Sequence, residues 1–188
     1  MTSQKVTDLA ATTAPADTDL LLVTENPGGS PVSKKSTLSD ALRIAHASVS
    51  ATAVSASQSL SATTWTKVTQ FTAEATYAAG TIVASHSGDS LKLVNAGRYL
   101  VTWMVSFTGA NAAEYRMAAY VGANATVADT RQDPSAILTT ASTNEHCATY
   151  QSIVTTGSAN QYVTAAVYSD GANAFAVKES TLTAIRIA

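Results

Sequence analysis

The chain has 188 residues, of which 46% are hydrophobic and 13% charged, with a formal net charge of −2. That composition excludes a disordered chain, and near-neutrality without a Lys/Arg cluster withholds the electrostatic footprint that nucleic acid requires. Cys147 is the sole cysteine, so no intrachain disulfide can form and stability must come from packing.

The start, Met1-Thr2-Ser3-Gln4-Lys5, runs into polar residues without the apolar core of a signal peptide, and no run reaches the length of a membrane span. The expectation is a soluble protein made in a cytoplasm, with no membrane insertion.

Residues 1–46 read as a small module. The apolar run Leu20-Leu21-Leu22-Val23 is followed by the turn signal Asn26-Pro27-Gly28-Gly29, and Val32 to Lys35 can return as a second strand. From Ser36 to Ala45, Leu38, Ala41, Leu42 and Ala45 follow helical spacing, with Thr37 as cap and Asp40 in the first turn. One hairpin and one helix in roughly forty residues bury too little surface to stand alone, so the module is expected to fold against a partner or its own copies.

Residues 47–63 are almost entirely Ala, Ser, Thr and Val, with no charge and only Leu60 as a bulky side chain. They lack coiled-coil heptads and the glycine of a flexible tether, and read as an extended connector. Its small residues suit three segments side by side and equally a solvated linker.

Residues 64–188 alternate as an all-β domain. Strands are expected from Trp65, at Ile82-Val83, Leu91 to Val94, Tyr99 to Phe107, Tyr115 to Val121, Tyr150 to Thr155, Tyr162 to Tyr168, Phe175 to Val177 and Leu182 to Ile187. Turns fall at Ser87-Gly88-Asp89, Asn95-Ala96-Gly97, Gly157-Ser158-Ala159-Asn160 and Asp170-Gly171. Short strands at this spacing, without helices between them, predict an antiparallel sandwich or barrel.

One strand carries additional information. Tyr99, Val101, Trp103, Val105 and Phe107 share a face that should meet the core, yet Leu100 and Met104 on the other face are also apolar. A second dry contact is expected there, with another copy of the chain as the neighbour. Tyr162 and Tyr168 are amphipathic and join Leu100 and Met104 as candidate interface residues.

Leu91 to Trp103, with its Asn95-Ala96-Gly97 turn before Tyr99, resembles the segment of the TNF-like jelly roll in which an apolar strand leads through Gly-x-Tyr into an alternating strand. Ala119-Tyr120-Val121-Gly122-Ala123-Asn124, Val163 to Val167 and Ser180 to Ile187 resemble later strands of the same fold, that of complement globular heads. The resemblance implies a mainly β chain ending in a jelly-roll knob that forms a homotrimer, with one sheet of each protomer toward the three-fold axis. Gly157-Ser158-Ala159-Asn160 departs from the Gly-Asp of many relatives, which weakens any implied metal site.

The first module resembles the attachment segment of tailed-bacteriophage fibre and spike proteins. The matching elements are Lys5-Val6-Thr7-Asp8-Leu9, Asp19-Leu20-Leu21-Leu22, Gly28-Gly29 and Lys35-Ser36-Thr37-Leu38-Ser39-Asp40, with Ala41-Leu42 where relatives often have Leu directly. It implies virion attachment through Asp8, Leu9, Asp19, Leu20, Leu22, Leu38 and Leu42 to another virion structural protein of tail or capsid.

No catalytic constellation is visible. His46, His86 and His146 are scattered, and His146-Cys147, as strand neighbours, would point to opposite faces, so a buried inert thiol is expected. Glu25, Asp40, Asp89, Asp133, Glu145 and Glu179 are isolated, and nucleophile-elbow, phosphate-loop and dinucleotide motifs are absent from the sequence. The expectation is a non-enzymatic virion protein without cofactor or metal, a trimeric fibre or knob whose polar loops at residues 111–114 and 126–143 are candidates for contact with a host-surface glycan or protein. A capsid decoration trimer at local three-fold positions is the alternative, and a polysaccharide depolymerase the lesser one.

Overall fold

A computed structural model describes residues 20–25 and 32–37 in their backbone, and residues 44–52, 57–77, 81–132, 136–140 and 143–187. The chain divides into two compact units, residues 1–43 and 44–188. In the first, β1 (Leu20–Glu25) pairs antiparallel with β2 (Val32–Thr37), from Leu20 opposite Thr37 to Glu25 opposite Val32. This is the expected hairpin with each strand two residues longer, Thr24 and Glu25 at the turn end and Ser36 and Thr37 at the open end. Ser36 and Thr37, read as the helix entry, belong to β2, and Ile44 and Ala45 are not helical; residues 38–43 lie outside the described residues. Asp8, Leu9, Asp19, Leu38 and Leu42 lie outside them too, whereas Leu20 and Leu22 occupy β1 opposite Thr37 and Lys35.

The second unit runs through β3 (His46–Thr52), β4 (Gln58–Ser59), β5 (Trp65–Lys67), β6 (Ala73–Tyr77), β7 (Ile82–Ser85), β8 (Ser90–Leu93), β9 (Gly97–Thr108) and β10 (Glu114–Gly122). It continues with β11 (Thr130–Arg131), β12 (Ala136–Thr139), β13 (Glu145–Thr156), β14 (Gln161–Ser169) and β15 (Ala174–Arg186). Two antiparallel sheets result. One has the order β13-β9-β15-β3-β6, with β4 also on β15; the other has β11-β10-β14-β8-β7, with β12 on β10 and β5 on β14. The unit is a jelly-roll sandwich, and among the described residues there is no helix.

Alternation places the core. Tyr99, Val101, Trp103, Val105 and Phe107 are all buried, facing inward from β9 as their spacing predicts. Tyr115, Met117, Ala119 and Val121 of β10 and Val163, Ala165 and Val167 of β14 are buried from the other sheet. Phe107 joins the layers, its ring 5.1 Å from Tyr115 and 4.6 Å from Phe175. Two large buried side chains have their polar ends paired: Trp103 Nε1 donates to Ser180 Oγ at 2.8 Å, and Tyr115 Oη accepts from the Ala110 amide and donates to the Ala174 carbonyl, both at 2.9 Å. In the turn before β14, Asn160 takes φ 57°, a left-handed conformation that asparagine tolerates.

The connector reading of residues 47–63 is corrected. Residues 46–52 form β3, paired on one side with β15 and on the other with β6, and Ala47, Val49 and Ala51 are buried in the core. Leu60 is buried as well, and β4 pairs with Ala174 and Phe175 of β15. The jelly roll thus takes in residues from 44, not 64. A strand needs a period of two and neither bulk nor aromatic content; alternating Ala/Val with Ser/Thr supplies it at low contrast.

Two further strands are longer than expected. β13 begins at Glu145, and β15 is one strand where two were expected, its register shifting between Val177 and Glu179. Cys147 is exposed, not buried: His146 stands opposite Phe107 on the core side, which turns Cys147 outward beside Ser106.

A chain beginning at Ile44 is therefore expected to unfold cooperatively, whereas one beginning at Thr64 loses β3 and β4. The second deletion should cost an amount comparable with the whole ~5–15 kcal/mol of a domain's stability. Thermal melts followed by circular dichroism check this; a cooperative transition in the shorter chain would restore the connector reading.

Candidate functional site

Each sheet turns one face outward, and the two faces differ in chemistry. On the six-stranded sheet, the register sets Ile153, Leu100, Ile185 and His46 in one row across β13, β9, β15 and β3. The next rows are Gln151, Thr102, Thr183 and Ser48, then Thr149, Met104, Thr181 and Ser50. None of these three rows contains Asp, Glu, Lys or Arg. Charge returns at the ends, with Arg98 at one and Glu145 and Glu179 at the other.

Met104 and Ile153 are each 52% exposed, and Leu100 and Ile185 are half-buried. A shallow depression of about 250 Å³ beside Met104 is lined also by Cys147, Thr149, Glu179 and Thr181. The face is lined by Thr, Ser, Gln, Leu, Ile and Met with His46 at one end of a row. His146 and Cys147 point to opposite sides of β13, so they form no nucleophile-base pair. Among the described residues no three His, Cys, Asp or Glu side chains converge on a metal position.

The other sheet turns out a cluster of aromatic rings and cations. Trp65 on β5 lies opposite Tyr168 on β14, with ring centroids 5.7 Å apart, and meets the mostly buried Tyr120 edge-on at 5.8 Å. Arg131 Cζ stands 5.4 Å from the Trp65 ring centroid, and Arg116 Cζ 5.2 Å from that of Tyr168. Glu114 Oε1 accepts from Arg116 Nε at 2.5 Å. Farther along β14, Tyr162 lies under Lys92, whose Nζ is 5.9 Å from the ring centroid.

Between these groups Lys67 ties two loops to the sheet, its Nζ donating to the carbonyls of Gly88 at 2.7 Å and Ala125 at 2.9 Å. Burial lowers the Lys67 pKa from its ordinary value, and the charge of Asp89 opposes that shift.

The four expected interface residues are consequently divided. Leu100 and Met104 lie on the outward face of one sheet, Tyr162 and Tyr168 on that of the other. Ile153 and Ile185 complete the apolar row with Leu100, and Trp65, Arg116 and Arg131 complete the aromatic cluster. Sequence reasoning missed all five. Their signal is cross-strand register, which appears only when the strands are paired.

No family model matches the chain, and no curated protein matches it. Among solved structures it is similar to Eiger TNF from S. frugiperda, with a TM-score of 0.54 and 11% identity over 78% of this chain and 94% of that one. The globular domain of zebrafish complement 1qA protein gives 0.54 and 11% over 78% and 98%, and murine APRIL gives 0.51 and 12% over 77% and 100%. The fold is a TNF-like jelly roll.

Among the described residues, two buried side-chain polar atoms make no hydrogen bond, Thr164 Oγ1 and Arg186 Nε. Thr164 lies opposite Tyr120 on the aromatic face, is fully buried, and its Oγ1 makes no hydrogen bond. A buried unpaired hydroxyl costs on the order of 1–3 kcal/mol. Thr164→Val, which keeps the branched shape, should therefore raise the denaturant midpoint by about 1 kcal/mol of stability with an unchanged slope. A fall in the midpoint would show that the hydroxyl is used.

Proposed function

We propose that this chain is a non-enzymatic structural protein of a bacteriophage virion: a homotrimer that attaches through residues 1–43 to another virion protein and displays the jelly roll as a knob for host-surface contact. The observation that carries self-association is the uncharged outward face around Leu100, Met104, Ile153 and Ile185. Fully burying four such side chains is worth on the order of 6–12 kcal/mol per protomer, at ~1.5–3 kcal/mol each. That is an upper value, since Leu100 and Ile185 are already half-buried, but it stands in the range of the ~4–15 kcal/mol that association costs. The fold agrees with this reading, and the resemblance of the first module to phage attachment segments supplies the virion assignment.

A second reading, a capsid decoration trimer, gains from the placement of β3. Residues 46–52, read from sequence as part of a connector, are a strand of the knob, and little sequence remains for a shaft. Copy number per virion separates the two, because decoration requires hundreds of copies and a tail fibre a few multiples of three.

Light scattering on the purified full chain should give a trimer mass. Leu100→Glu combined with Met104→Glu should give a folded monomer with an unchanged circular dichroism spectrum, because both side chains point away from the core. A wild-type monomer, or a double variant that remains trimeric, would refute the assignment of this face. Chains lacking residues 1–43 should be absent from purified particles, and their incorporation would remove the attachment role.

A further inference from the structure

We infer that the outward cluster of Trp65, Tyr168, Arg116 and Arg131 is a binding surface for an anionic carbohydrate. The inference rests on reading this unit as a surface-contact knob, and it assigns that contact a place and a ligand class.

Sheet register builds the cluster. Trp65 and Tyr168 are paired across β5 and β14, Tyr168 and Arg116 across β14 and β10, and Arg131 stands opposite Tyr120 on β11. Four neighbouring strands thus hold two guanidinium carbons 5.2 and 5.4 Å from two ring centroids that are themselves 5.7 Å apart. Both arginines are exposed, and both rings are half-exposed.

The chemistry selects the occupant. A guanidinium is a planar fork of donors that matches a carboxylate in bidentate fashion, and stacking on an aromatic ring holds that plane in a fixed orientation. Glu114 engages Arg116 through Nε, which leaves the two terminal nitrogens as donors. Half-exposed aromatic rings offer apolar surface to the C–H face of a sugar, and the Tyr168 hydroxyl can both donate to and accept from sugar hydroxyls. Ile137, opposite Arg116 and 60% exposed, extends the apolar surface.

The same cluster suits nucleic acid poorly. A phosphate backbone requires a continuous basic track, and here two guanidiniums stand beside Glu114 in a chain of net charge −2.

The test is calorimetric titration of the full chain with three probes: oligogalacturonate, which is a carboxylated sugar; dextran, a neutral one; and polyglutamate, which carries carboxylates without sugar. Oligogalacturonate alone should bind, more weakly as salt rises. Arg131→Ala and Arg116→Ala should each weaken it at least about tenfold, and Arg116→Lys, which keeps the charge and loses the fork, should fall between. Circular dichroism confirms that these surface variants fold.

Equal binding of polyglutamate would assign the face to an acidic protein and overturn the carbohydrate. Equal binding of dextran would overturn the role of the arginines, as would affinity unchanged in both alanine variants, and failure of all three probes would overturn the site. Light scattering on the same samples keeps the two readings apart: a trimer that binds no probe refutes this inference alone, and a monomer that binds oligogalacturonate refutes only the assembly.

Discussion

The pairing of β9 with β15 is the constraint on which the rest of the jelly roll depends. β9 has twelve residues, all paired with β13 on one side, and it runs antiparallel to β15 on the other. Because side chains alternate, a slip of one residue would send Trp103 and Phe107 into solvent and bring Met104 and Ser106 into the core. The hydrogen bond from Trp103 Nε1 to Ser180 Oγ is available only in the observed register, and both partners are buried. A slip would leave two polar groups without partners in addition to the lost apolar burial. The irregularity between Val177 and Glu179 absorbs one residue close to that bond, which lets Phe175 and Val177 face the core as Ser180 and Leu182 do.

What could be read in the sequence follows from how much contrast each strand carries. In β9, large residues at every second position left the inward face unambiguous, and all five expected core residues are buried. In β3 the same alternation is written in Ala47, Val49 and Ala51 against Ser48, Ser50 and Thr52, a difference of a few methyl groups between faces. Period is preserved there while amplitude is lost, and a strand that packs fully inside the sheet looked like a linker. Composition describes how much a residue can bury, and pairing decides whether it does.

The candidate site shows the same limit from another side. Leu100 and Met104 were recognisable because they interrupt a polar pattern on their own strand. Ile153 and Ile185 are comparable residues in longer strands, and they join Leu100 in one row only through the registers of β13 and β15. The aromatic cluster is more distant still from sequence reasoning, since Trp65, Arg116, Arg131 and Tyr168 come from four strands spread over about a hundred positions. Tyr162 and Tyr168 were grouped with Leu100 by amphipathic character alone, which carries no information about which sheet a strand joins.

The two outward faces differ in what it costs to cover them. A face of Thr, Ser, Ile and Met without formal charge gains from exclusion of water and loses little by desolvation, because hydroxyls of short side chains can pair across a contact or with trapped water. A face whose exposed groups are guanidiniums on aromatic rings behaves in the opposite way: covering it dry strips solvent from charged groups, which costs more than covering hydroxyls and methyls. A dry self-contact therefore costs less on the six-stranded sheet than on the other. A small anionic ligand selects the reverse, since its carboxylate can accept from guanidinium N–H groups and it needs only the area of two rings. The division follows from the sheet registers, and it explains why four residues that were alike in polarity were separated by the fold.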